Sequence, residues 1–153
     1  LFIDGFRREQ DYYGILKQNI DPSDWNAYVE GLIDEIMRKS RRVNIDVIGK
    51  IYIAEHWWNR LLKLVSETKH LPSIQHYEQY LATDYSTELA EIYEKGIPDF
   101  LIKNIGRNHY KEACRYVRRM IKLGARDRVT NLVAALRKEY PQRSALMEEL
   151  SRI

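Results

Sequence analysis

One cysteine, four prolines and three phenylalanines are all that 153 residues contain of these types. The lone Cys114 excludes an internal disulfide, so a reducing, cytoplasmic setting is expected. The longest apolar run, Leu132 to Leu136, is five residues, whereas a membrane-spanning helix needs about 20. Asn-Gly turns and sustained alternation of apolar and polar residues are also missing, which argues against β-hairpins. Glycine-rich phosphate loops, Gly-x-Ser-x-Gly, His-Glu-x-x-His and paired Cys-x-x-Cys are absent as well. The expectation is therefore a protein that is not an enzyme, with no catalytic residue, metal site, cofactor or small-molecule substrate. The start Leu1-Phe2-Ile3-Asp4 carries neither methionine nor a signal peptide and reads as part of a longer protein.

What is present is helical spacing throughout. A first helix is expected from Asp4 to Gln18, burying Phe6, Tyr13 and Leu16. Asp21-Pro22-Ser23-Asp24 reads as a helix start, with Asp21 as cap and Pro22 where a missing N–H costs nothing. Trp25, Val29, Leu32, Ile33, Ile36 and Met37 form the stripe of that helix, which should stop at the basic cluster Lys39 to Arg42. A third helix is predicted from a cap at Asn44 to Glu67, with Trp58 in the core and Trp57 at the rim as a binding anchor. Leu71-Pro72-Ser73 should open a short helix holding Ile74, Tyr77 and Leu81. A helix from Asp84 should break or kink at Gly96 and Pro98, with a further piece holding Phe100, Leu101 and Ile105. Helices from Arg107 to Leu123, around Val129 to Leu136, and from a cap at Ser144 complete the pattern, with Gly124 closing the first of these three.

The expected fold is all-α, antiparallel helical hairpins in an irregular bundle or short solenoid-like array. It forms one helical domain over 1–153, divisible into sub-units 1–70 and 71–153. His76-Tyr77 recurs as His109-Tyr110 33 residues later, but the flanks do not match, so no regular repeat follows.

Charge is polarised. From Lys103 to Arg143 twelve Lys or Arg face three acids, while residues 1 to 102 hold twelve basic and seventeen acidic residues. Arg107, Lys111, Arg115, Arg118 and Lys122 fall at spacings of four, four, three and four, with Arg119 beside them, which makes a stripe along one helix face. Such a stripe can follow phosphates or an acidic protein, or it can be a solvated face paired with Glu88, Glu91 and Glu94. His109 and Cys114 are five residues apart, pointing in different directions on a helix. His70 and His76 flank the Pro-Ser break and could meet.

Tyr77-Glu78, Gly106-Arg107-x-x-Tyr110-x-x-Ala113, Lys122-Leu123-Gly124, Leu132 to Arg137 and Tyr140-Pro141-x-Arg143-x-Ala145-Leu146-x-x-Glu149-Leu150 together resemble the C-terminal helical region of SWIM zinc-finger family proteins. The likeness covers about 75 residues, and it implies an accessory helical segment of a larger protein without implying a catalytic residue. The Cys-x-Cys and Cys-x-His ligand pairs of that zinc finger are not in this chain. The functional expectation is a non-catalytic interaction module that binds a protein partner, through Trp57 and grooves between hairpins. The alternative is a nucleic-acid-binding accessory segment that uses residues 107–122.

Overall fold

The computed structural model describes residues 12–39 and 45–153. Every regular element among them is a helix: α1 over 12–19, α2 (Pro22–Lys39), α3 (Ile45–Ala54), α4 (Trp58–Thr68), α5 (Leu71–Leu81), α6 (Ser86–Lys103), α7 (Arg107–Lys122), α8 (Arg126–Glu139) and α9 (Ser144–Leu150). None of these helices is long and apolar enough to cross a membrane. The chain forms two compact units, Leu1–Ile48 and Gly49–Ile153, divided inside α3. Helices α4 and α5, on either side of the expected boundary at residue 70, pack on one another.

In the first unit α2 begins as its sequence implies. Asp21 Oδ1 accepts from the Ser23 amide at 2.9 Å and from its hydroxyl at 2.7 Å. Trp25, Val29 and Ile33 are buried at i, i+4, i+8, with the rings of Tyr13 and Tyr28 against Trp25 at 5.3 and 5.7 Å. Leu32 and Ile36 are only half-buried and Met37 is exposed, so the stripe is narrower than its composition implies. Leu16 is also exposed, whereas Phe6 and the Asn44 cap lie outside the described residues.

The single helix expected from Asn44 to Glu67 is two helices. The Trp57 amide donates to the Tyr52 carbonyl at 2.8 Å and the His56 amide to Ile53 at 3.2 Å. His56 takes φ 57°, in the left-handed region. These are the two bonds of a Schellman closure, completed by the usual apolar contact, here Tyr52 on Trp57 at 6.1 Å between rings. Histidine stands where glycine is the common choice, so spacing alone could not reveal the stop. Trp58 consequently opens α4 half-buried, beside Tyr80, and is not a core residue.

The expected break at Gly96 and Pro98 does not occur, and α6 runs through both. Pro98 cannot bond the Glu94 carbonyl, at a cost of about 3 kcal/mol in a helix interior. Leu89, Ala90 and Tyr93 before it and Ile97 and Leu101 around and after it are fully buried. Burying a side chain of leucine size stabilises by about 1.5–3 kcal/mol, so several such groups outweigh one lost bond. Ile105 does not join this face and is 70% exposed.

Helix α7 buries Tyr110, Ala113, Cys114, Tyr116, Val117 and Met120. Its end is the expected one: Gly124, at φ 86°, supplies the left-handed residue while its amide bonds Ile121 and that of Ala125 bonds Met120, both at 3.0 Å. The helix expected from Asp84 begins at Ser86, and Ser144 lies inside α9 and does not cap it; the cap positions of α5, α6 and α9 are His70, Tyr85 and Arg143, none with a capping side-chain bond. In the second unit α4 packs on α5, α5 on α6 and α6 on α7, while α8 touches both α6 and α7 and α9 lies on α7. This arrangement is an irregular helical bundle in which α7 packs most closely on α6, α8 and α9 and reaches α5 through side chains.

Candidate functional site

A cleft of about 550 Å³ lies between α5 and α7. From α5 and the Ala82 that follows it, the cleft is lined by Pro72, Gln75, His76, Glu78, Gln79 and Ala82, and from α7 by Arg115, Tyr116 and Arg119. The α5 residues recur at three- and four-residue spacing because they occupy one helix face, next to the face that buries Leu71, Ile74, Tyr77 and Leu81.

Glu78 is the hinge between the two faces. It falls in register with Leu71, Ile74 and Leu81 and is buried with them. Arg119 meets it with two parallel bonds, Nε to Oε2 at 2.9 Å and Nη2 to Oε1 at 3.1 Å. The Tyr93 hydroxyl donates to Oε2 at 2.6 Å, and the Tyr93 ring stacks on Tyr116 at 5.9 Å. A buried carboxylate is tolerated only when its charge and lone pairs are met, and this fork plus a phenol meets them. The cluster ties α5, α6 and α7 together at one point. Burial, followed by the Glu78 carboxylate beside it, pushes the Tyr93 phenol well above its ordinary ionisation range. Burial likewise raises the Tyr116 phenol. Neither phenol therefore gives up a proton near neutral pH.

The five residues Arg107, Lys111, Arg115, Arg118 and Lys122 do stand together on the exposed side of α7. Several are engaged within the chain. Arg107 bonds Glu148 at 2.7 Å and Glu149 at 3.3 Å on α9. Arg115 lies 3.8 Å from Glu112 and over the Tyr116 ring, and Arg118 reaches the Arg152 carbonyl at 3.4 Å. Arg119 is off the stripe, in the Glu78 fork. Of the α6 acids offered as partners for the stripe, Glu91 and Glu94 instead hold Arg128 on α8 at 2.6 and 2.7 Å.

Trp57 is half-buried, its ring covered by the Arg60 guanidinium at 4.4 Å. It lies outside the cleft lining. Cys114 and His109 are not brought together: the thiol is buried, and the imidazole meets Phe100 edge-on at 6.0 Å. Burial pushes the Cys114 thiol up to about 11, which keeps it protonated and unreactive at neutral pH. His70 Nδ1 pairs with the Ser73 hydroxyl at 2.8 Å, while His76 packs on the Tyr77 ring. Among the described residues no group of three or more His, Cys, Asp or Glu side chains forms a metal-binding cluster.

Gln75, Glu78, Gln79 and Tyr116 were not singled out as site residues by their spacing. One signal was available: Glu78 is an acid at an apolar register position, the pattern of a buried pair awaiting its cation. Glu149, buried between Leu146 and Leu150 and held by Arg107 and Arg152, is a second instance. No protein family, curated protein or solved structure matches the chain.

Proposed function

We propose that the chain is a non-catalytic helical interaction module of a larger cytoplasmic protein, and that a protein partner docks in the α5–α7 cleft. The supporting observation is the division of labour in that cleft. Its charged floor is committed to the Glu78–Arg119–Tyr93 cluster, while Gln75, Gln79 and Ala82 line it with neutral groups suited to contact a polypeptide. The raised ionisation of Tyr93, Tyr116 and Cys114 leaves these groups poorly placed for acid–base or nucleophilic chemistry. The resemblance to the helical region of SWIM zinc-finger proteins agrees with an accessory role.

A photoreactive phenylalanine analogue at Gln79, in the chain expressed in its own cells, tests the proposal. Discrete crosslinked species destroyed by protease are expected. Turnover of a small molecule mapped to cleft residues would overturn it. The nucleic-acid alternative draws on the five cations exposed along α7. It requires nuclease-sensitive crosslinks at Lys111 and an affinity that falls steeply with added salt.

A further inference from the structure

The α5–α7 cleft is richer in donors than in acceptors. Arg115 and Arg119 stand one turn apart on α7 and both line it. A guanidinium offers five N–H donors, of which Arg119 gives two to Glu78. Arg115 is the more open, with 56% of its side chain exposed. It makes one long bond, 3.3 Å, to the Tyr116 hydroxyl and comes only within 3.8 Å of Glu112. Gln75 and Gln79 add side-chain amides, the Gln79 amide giving one bond to the His76 carbonyl at 3.1 Å, and His76 adds an imidazole from the opposite wall. On the acceptor side the lining has one carboxylate, Glu78, which already accepts three bonds.

We infer that this cleft binds an acidic peptide segment, with a carboxylate of the ligand taken by the Arg115 guanidinium and the peptide backbone met by the amides of Gln75 and Gln79. The inference deepens the interaction-module proposal and rests on it. Charge matching supports it: the lining holds two guanidiniums against one carboxylate, and Arg115 has only a 3.8 Å ion pair with Glu112, outside the lining, which an incoming carboxylate at hydrogen-bond distance would outcompete. Planar guanidinium and carboxylate pair through parallel bonds, so the recognition is directional as well as coulombic. A nucleic-acid strand carries a phosphate about every 3.4 Å and calls for a row of available cations. This cleft has only two guanidiniums, of which Arg119 is held by Glu78 and Arg115 is loosely paired with Glu112, so it offers no such row. A volume of about 550 Å³ is in the range of pockets that take ligands of a few residues.

The experiment is a titration of the isotope-labelled full chain, followed by amide NMR, with an acetylated hexapeptide of glutamates and with its glutamine counterpart. Shifts confined to residues 75–82 and 115–119 are expected with the glutamate peptide, and binding at least tenfold weaker with the glutamine one. Arg115→Gln should weaken the glutamate peptide at least tenfold, whereas Lys111→Gln, on the same side of α7 but outside the cleft, should change it less than twofold. Shifts spread along 107–122, or equal losses in the two variants, would reduce the effect to general attraction by the stripe and overturn the inference. Tighter binding, by tenfold or more, of a phosphoserine hexapeptide would also overturn it, in favour of a phosphate site. If the glutamate peptide leaves the cleft unshifted while crosslinks at Gln79 still form, the acidic specificity is lost and the module proposal stands. Absence of both removes both.

Discussion

Arg118 and Arg119 are neighbours in sequence and opposites in consequence. Arg119→Ala strips a buried carboxylate of its counter-ion and should cost about 2–4 kcal/mol, somewhat below a fully dry pair because the Arg119 side chain is 28% exposed. Arg118→Ala should cost under about 0.5 kcal/mol, as for an exposed charge. Urea melts of the two variants decide it, and comparable losses would mean that the Glu78 fork does not carry the load assigned to it. His56 offers a gain. Its left-handed backbone is one that glycine adopts without strain, so His56→Gly should stabilise by about 0.5–1 kcal/mol, less what its edge contact with Trp58 contributes. A lower melting temperature for His56→Gly would show the Trp58 contact to be the larger effect.

At the scale of elements, the approach of α5 to α6 depends on Gly96. A Cβ built there would lie 2.8 Å from Leu71 Cδ2, and Leu71 is itself buried. Gly96→Ala gains up to about 1 kcal/mol in helix propensity and loses about 1–3 by overpacking, so the net effect should be destabilising. Gly31, exposed on α2 with nothing within 4 Å of such a Cβ, lacks the second effect. Gly31→Ala should therefore raise stability by about 0.5–1 kcal/mol. Opposite signs in thermal melts are the expected result; two stabilised variants would show that Leu71 moves aside freely. The same elements explain how far helix boundaries could be read. Asp21-Pro22 and Gly124 are local signals and were legible in the chain. The stop at His56 and the passage through Pro98 were not, because a Schellman closure on histidine and a proline outweighed by packing have no local spelling.

For the whole molecule, stability should have a limit on each side of neutral pH. Glu148 is held below its ordinary range first by the hydrogen bond from Arg107, so its contribution is complete above 4.5 and lost as pH falls through the lowered value. Cys114 is displaced the other way by burial. Its contribution is complete below the ordinary value of 9.0 and is lost as pH climbs from there toward about 11. Urea midpoints measured across pH should thus decline at both ends. Arg107→Gln should flatten the acid decline, and Cys114→Ala should remove part of the alkaline one. An unchanged alkaline slope in Cys114→Ala would mean that the thiol is far better solvated than its burial implies.

Fold class, the prevalence of helix and the exposed row Arg107, Lys111, Arg115, Arg118 and Lys122 were determined by sequence alone, because helical periodicity is a one-dimensional property of the chain. The cleft was not. Glu78 and Arg119 are 41 residues apart, Arg107 and Glu148 also 41, and Arg128 and Glu94 34, and no spacing rule links positions on different helices. Which cations stay open to a partner and which are consumed inside the chain depends on those meetings. Only the packing of α5, α6, α8 and α9 around α7 decided them, since a charge finds its counter-ion through space and not along the chain.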